Sequence, residues 1–204
     1  MESFIAGLDR DDLEHYLILV SYFPCPRELE ATVSGWSNDE AVQAEREKQY
    51  EANRIKYGYK DWYDWQYEKW GTKWGDRETM LLNPPYWDLF DFVSADFFFQ
   101  TAWGPATAGF IEVSRRFPEI LFHFWHDEEA GFFRGGELIL AGEHRGDAKF
   151  EPCNYHDWDN CDWDNAKWVD AYESWLDKES EHVHEQLREM RDHLLRSMRG
   201  DTHE

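Results

Sequence analysis

The sequence predicts an α+β fold, an antiparallel sheet with helices on one face, followed by a long C-terminal helix. Three observations carry that expectation. Ile120 to His126 and Phe132 to Ala141 read as strands on either side of a Glu129-Ala130-Gly131 turn, the pattern of an antiparallel hairpin. Ala106 to Phe117 reads as a helix that Pro118 closes. Trp168, Tyr172, Leu176, Val183, Leu187, Met190 and Leu194 fall at helical spacing and mark one apolar stripe.

Taken in order, Asp9 can cap a short helix through about Leu17. The apolar run Tyr16 to Phe23 extends that helix or forms a buried strand, because periodicity does not separate the two. Pro24 and Pro26 end either one. Ser37 and Glu40 form a capping-box pattern for a polar helix from Asp39 to about Lys56, which Gly58 stops. Its few apolar positions (Val42, Tyr50, Ile55) place it on the surface. An aromatic segment, Tyr57 to Trp74, and a turn-rich passage around Asn83-Pro84-Pro85 follow. Phe92 to Ala102 reads as a strand, and with the helix and hairpin after it gives the order β-α-β-β, most of one ferredoxin-like unit.

In the last third Asn165 caps a helix to about Arg199, with Gly200 just beyond. Asp157, Asp159, Asp162 and Asp164 crowd its start and Arg188, Arg191, Arg196 and Arg199 its end, both favourable to the helix dipole. At ~1.5 Å per residue it is roughly 50 Å long, more than a compact domain of this size spans. Its stripe is therefore expected to meet a second chain or to fold back. Val183, Leu187, Met190 and Leu194 are the self-association candidates, giving a homodimer through this helix. The chain divides into residues 1–150, an α+β domain with a helical insertion near 37–57, and residues 151–204, an acidic Trp-containing loop and the long helix.

Charge bounds the function. The 204 residues include 43 Asp and Glu against 21 Lys and Arg, a formal net charge of -22. Such a polyanion repels phosphate, which argues against direct binding to nucleic acid or an anionic membrane. Aromatic residues at 18%, with 12 Trp, separate it from disordered acidic tails. Residues 1–75, 76–150 and 151–204 carry net -6, -7 and -9, so the acidity belongs to the folded surface. No run approaches the ~20 apolar residues that span a bilayer. Met1-Glu2-Ser3-Phe4 lacks the basic region of a secretory signal. Three cysteines, Cys25, Cys153 and Cys161, do not make an extracellular disulfide framework. The cytoplasm is the expected compartment.

Tyr57-Gly58-Tyr59-Lys60-Asp61-Trp62-Tyr63-Asp64-Trp65 and Trp70-Gly71-Thr72-Lys73-Trp74 form two blocks of a signature. Phe99-Gln100-Thr101-Ala102-Trp103-Gly104-Pro105 and Ser114-Arg115-Arg116-Phe117-Pro118 form two more. Together with Gly131 and Gly135-Gly136 they resemble the YubB-type ferredoxin-like family of phage and plasmid proteins, from roughly Tyr22 to Gly142. The resemblance implies a ferredoxin-like α+β sandwich encoded by a mobile element, with no iron–sulfur cluster and no catalytic residues to carry over. An opening strand with a glycine turn is missing before Leu8, and the C-terminal helix lies outside the resemblance.

Each candidate site competes with a plainer reading. Trp62, Trp65, Trp70 and Trp74 could stack on bases or sugars, yet an acidic surface lacks the basic groove that accompanies such platforms, so burial in the core is expected. Lys69, Lys73 and Arg77 then cover the rings with their stems. The near-repeat of residues 156–160 and 161–165 alternates oxygen ligands but lacks the central glycine and terminal Glu of a calcium loop. Cys153, His156 and Cys161, with His144 or Cys25 in reserve, do not have zinc-knuckle spacing. His123 and His126 point to opposite faces of a strand. Asp127-Glu128-Glu129 is read as a solvated turn. GxSxG, HExxH and Gly-rich phosphate loops are absent from the sequence, so an interaction protein is favoured over an enzyme, with no cofactor and no metal.

Two functions follow. The first is an acidic protein that binds and inhibits a basic nucleic-acid-handling or defence protein of the host, as a DNA mimic, through Asp157, Asp159, Asp162, Asp164, Asp177, Glu181 and Glu185. The alternative is a small-molecule-binding or enzymatic module in a cleft formed by Trp70, Lys73, Trp74 and Trp103.

Overall fold

The computed structural model describes residues 1–10, 15–88, 92–128, 134–150 and 164–200. It is a mixed α/β chain that divides into two compact units, Met1–Ile120 and Leu121–Glu204. None of its described helices is long and apolar enough to cross a membrane.

The first unit runs α1 (Glu2–Ala6), β1 (Asp9–Arg10), β2 (Tyr16–Leu17), α2 (Ile18–Tyr22), α3 (Arg27–Glu30), α4 (Glu40–Tyr57) and α5 (Trp62–Trp70). It continues through β3 (Arg77–Leu81), β4 (Tyr86–Trp87), β5 (Val93–Ser94), β6 (Phe97–Gln100) and α6 (Thr107–Arg116). One antiparallel sheet has the order β1-β2-β3-β6, and β4-β5 form a separate ribbon. Asp9 thus lies in a strand paired with Leu17 rather than at a helix start. The Tyr16–Phe23 run is strand for two residues and helix for five.

That switch has a cause. Asp76, 2% exposed, accepts the Ile18 and Leu19 backbone N–H groups at 2.7 and 2.8 Å and the Thr79 hydroxyl at 2.8 Å. A carboxylate from the head of β3 therefore caps α2, whose own N-cap Leu17 has no oxygen to offer. Leu19, now fixed, is buried in the core, as are Trp70, Phe110 and Val113. A Cβ on Gly109 would meet Leu19 Cδ2 at 2.8 Å and Trp70 Cδ1 at 3.2 Å, so α6 approaches as closely as a glycine permits. Phe4, Tyr22 and Phe117 form an aromatic cluster with centroids 4.7–5.2 Å apart.

α4 begins where expected, but its cap is Asp39, whose Oδ1 accepts from Ala41 and Val42; Ser37 instead receives the Asp39 N–H. Gly58 closes it in the left-handed conformation, φ 83°.

The second unit runs β7 (Phe122–Asp127), β8 (Arg134–Leu140), β9 (Glu143–Lys149) and α7 (Ala166–Arg199). Its three strands form one antiparallel sheet, β7-β8-β9. The expected β-α-β-β order is present along the chain, but β6 pairs with β3 and β7 with β8, so the first strand belongs to a different sheet. The expected division at residue 150 also moves to Ile120, because β8, β9 and α7 pack together as one body. α7 is a single helix of 34 residues, capped by the Asn165 side chain on Lys167 N and ended by Gly200 at φ 78°.

Part of its stripe packs on the sheet of the same unit. Val183 and Leu187 are fully buried with Ala148, and Met190 and Phe150 pack against them. Leu194 is half-buried on the same helix. The sheet of the same unit thus covers Val183 and Leu187.

Two stability outcomes follow. Asp76→Ala leaves three donors without an acceptor and should cost about 3 kcal/mol in urea unfolding, with Asp76→Asn intermediate. On Gly136 an added Cβ would collide with the Phe124 carbonyl and meet Leu187 Cδ1 at 2.5 Å. Gly136→Ala should therefore cost about 2 kcal/mol in the same measurement, since a backbone oxygen has nowhere to go.

Candidate functional site

α7 presents two unlike faces because its apolar residues are committed to the sheet. On the solvent side stand Glu173, Asp177, Glu181, Glu185 and Glu189, one every fourth residue and all exposed. Each step rises ~6 Å along the axis and turns ~40°, so the carboxylates form a slow spiral roughly 24 Å long. Among the described residues none of the five takes part in an ion pair. Like charges four residues apart destabilise a helix, about 1–2 kcal/mol over these four steps.

α4 treats its acids differently. Glu45 pairs with Lys48 at 3.2 Å, Glu51 with Arg54 at 3.4 Å, and Glu28 of α3 with Lys56 at 3.0 Å. The Lys56 ammonium beside Glu28 pulls its carboxyl down to about 2. Solubility alone would not require one helix to pair two of its four acids while another aligns five with no ion pair among the described residues.

Of the predicted partner-binding acids, Asp177, Glu181 and Glu185 lie in this row, and Asp164 is exposed just before the helix. Asp157, Asp159 and Asp162 lie outside the described residues. Glu173 and Glu189, which complete the row, went unnoticed; their four-residue spacing was the signal available.

The aromatic cleft is rearranged. Trp70 is 2% exposed and donates its indole N–H to the Phe23 carbonyl at 2.8 Å, so it belongs to the core and not to a cleft. Trp65, edge-on to it at 5.5 Å, is buried too. Trp74, expected inside, is exposed with Trp103, because the chain turns outward at Gly71 (φ 83°). Thr72 then locks the two segments: its buried hydroxyl donates to Ala102 O at 2.8 Å and accepts from Ala102 N at 3.0 Å. The Lys73 ammonium lies 4.7 Å from the Trp74 centroid and 4.8 Å from that of Trp103, a cation–π wedge.

In the second unit Glu137, buried, lies between two histidines: His126 Nε2 is 3.0 Å from Oε1 and His144 Nε2 is 3.2 Å from Oε2. His144, held in reserve for zinc, is thus engaged with a strand carboxylate. Among the described residues no three His, Cys, Asp or Glu side chains converge on a metal position, and Cys153, His156 and Cys161 lie outside those residues. Asp127 is paired with Arg134 at 2.8 Å.

Cys25 is buried, and burial followed by the nearby Glu30 charge pushes its thiol up to about 12. Such a thiol is a poor metal ligand and nucleophile at neutral pH. In a Cys153→Ser/Cys161→Ser variant at pH 8, a thiol reagent should modify the folded protein at least a hundredfold more slowly than the urea-unfolded chain. Comparison with family models, curated proteins and solved structures finds no match, and the functional reading rests on this geometry.

Proposed function

We propose that this chain is an acidic interaction protein that occupies a positively charged, nucleic-acid-handling surface of a host protein and inhibits it. The carboxylate row of α7, which makes no ion pair among the described residues, carries this reading. It is rigid, because Val183 and Leu187 anchor the opposite side of the helix. It presents negative charge at regular intervals, as a phosphate backbone does, and opposed potentials accelerate encounter. The unit that bears it holds 21 acids against 9 bases in 84 residues. A mobile-element origin, a ferredoxin-like lineage and a cytoplasmic site of action are part of the proposal, supported by the phage and plasmid resemblance of the tryptophan-containing blocks.

Affinity capture from host lysate tests it. A basic partner should be retained at low salt, be released as salt rises, and be displaced by duplex DNA. Asp177→Lys/Glu181→Lys/Glu185→Lys should lower its affinity at least about tenfold and flatten the salt dependence, with helicity unchanged. Retention that ignores salt, or a variant that binds as well as the wild type, would overturn the reading.

A further inference from the structure

The first unit contains an open pocket of ≈ 380 Å³ lined by His15, Trp74, Arg77, Glu78, Gln100 and Thr101. Trp103 stands beside it, its ring 6.5 Å from that of Trp74 and tilted by 39°. Both indoles face solvent, Trp74 45% and Trp103 69% exposed. A protein that only needed them for its core would have turned them inward, as it does Trp65 and Trp70.

The backbone holds Trp103 outward at a cost. Among the described residues three non-glycines have positive φ: Glu78 at 50°, Trp103 at 65°, and Ala141 at 54°. Ala141 begins a hairpin turn, whereas Glu78 and Trp103 both adjoin this pocket. For a bulky side chain this conformation is unfavourable and marks sites where the surroundings impose it. The surroundings are visible: Thr72 fixes Ala102, and Thr101 Oγ1 donates to Gly104 O at 2.8 Å, bracketing Trp103. Glu78 sits where the β3–β6 register shifts between Arg77 and Met80, an irregularity that re-aims a side chain. There its carboxylate accepts from Gln100 Nε2 at 2.9 Å.

The chemistry selects a ligand. Arg77 and Glu78 carry opposite charges, and a chain of net charge -22 repels anions at long range. The Lys73 ammonium fills the wedge between the two rings, so no ligand ring slots between them and a ligand meets the indoles from outside the wedge. What remains is a tilted pair of indole faces beside a planar amide, a carboxylate and a guanidinium. Indole faces pack against axial C–H groups, and the planar polar groups supply adjacent donors and acceptors for vicinal hydroxyls.

We propose that this pocket binds a neutral saccharide, with Trp74 and Trp103 stacking on its C–H faces and Gln100, Glu78 and Arg77 bonding its hydroxyls. The site stands independently of the α7 carboxylates, and Asp177→Lys/Glu181→Lys/Glu185→Lys should leave it intact.

The test is calorimetric titration of the full chain with cellohexaose, chitohexaose, maltohexaose and mannohexaose, alongside indole N–H shifts in NMR spectra, with adenosine as the competing class. At least one hexasaccharide should bind with a Kd of about a millimolar or tighter and shift two indole signals that are missing from Trp74→Ala and Trp103→Gly. Trp103→Gly removes the ring while accepting the positive φ, so it should fold at least as stably as the wild type yet bind at least about tenfold more weakly. Trp36→Ala, which removes an exposed indole elsewhere in the unit, should bind normally. Failure of all four sugars at about ten times that concentration, binding that survives Trp103→Gly, or adenosine binding in their place would each overturn the proposal.

Discussion

The first unit is organised around one carboxylate. α2 has five residues, too few to hold itself together in water, and begins directly after a strand with no local cap. Asp76, 58 residues away in sequence from Ile18, supplies the missing acceptor and places a negative charge at the positive end of the helix dipole. Because Asp76 also receives Thr79, it fixes β3 and α2 together. The Leu19–Trp70–Phe110 core is positioned by that one group. Asp39 and Asp61 perform the same service locally for α4 and α5. Part of this chain's acidity is therefore spent inside the fold.

The remainder is sorted rather than scattered. Glu45 and Glu51 on α4 are paired with a lysine and an arginine three residues away, while the five carboxylates of the α7 row make no ion pair among the described residues. Tryptophans divide in the same manner. Trp65 and Trp70 build the interior, and Trp74 and Trp103 are pushed out by the Thr72 clasp. In both cases one residue type does structural work in one place and is displayed in another, and the supporting backbone decides which.

This explains how much could be read beforehand. α4, α6, β7, β8 and α7 were legible because caps, proline stops and periodicity are local signals; Asn165 and Gly200 mark the two ends of α7 by themselves. β9 was not legible. Its sequence, EHRGDAK, has no alternation, and it becomes a strand because Ala141 and Gly142, both at positive φ, turn the chain back onto β8. The pairing of β6 with β3 and the capping of α2 by Asp76 are long-range choices with no local mark. The exposure of Trp74 depends on Thr72 meeting Ala102, thirty residues on, which composition cannot reveal. Three of the seven acids expected to meet a partner, Asp177, Glu181 and Glu185, were found in the row because helical spacing alone placed them.

The separation of β6 from β7 bears on how such a chain could have arisen. Each sheet is completed by strands from its own unit, so a break in the peptide between Ile120 and Leu121 would cut no ladder among the described strands. Recombination at that point would transfer each sheet whole.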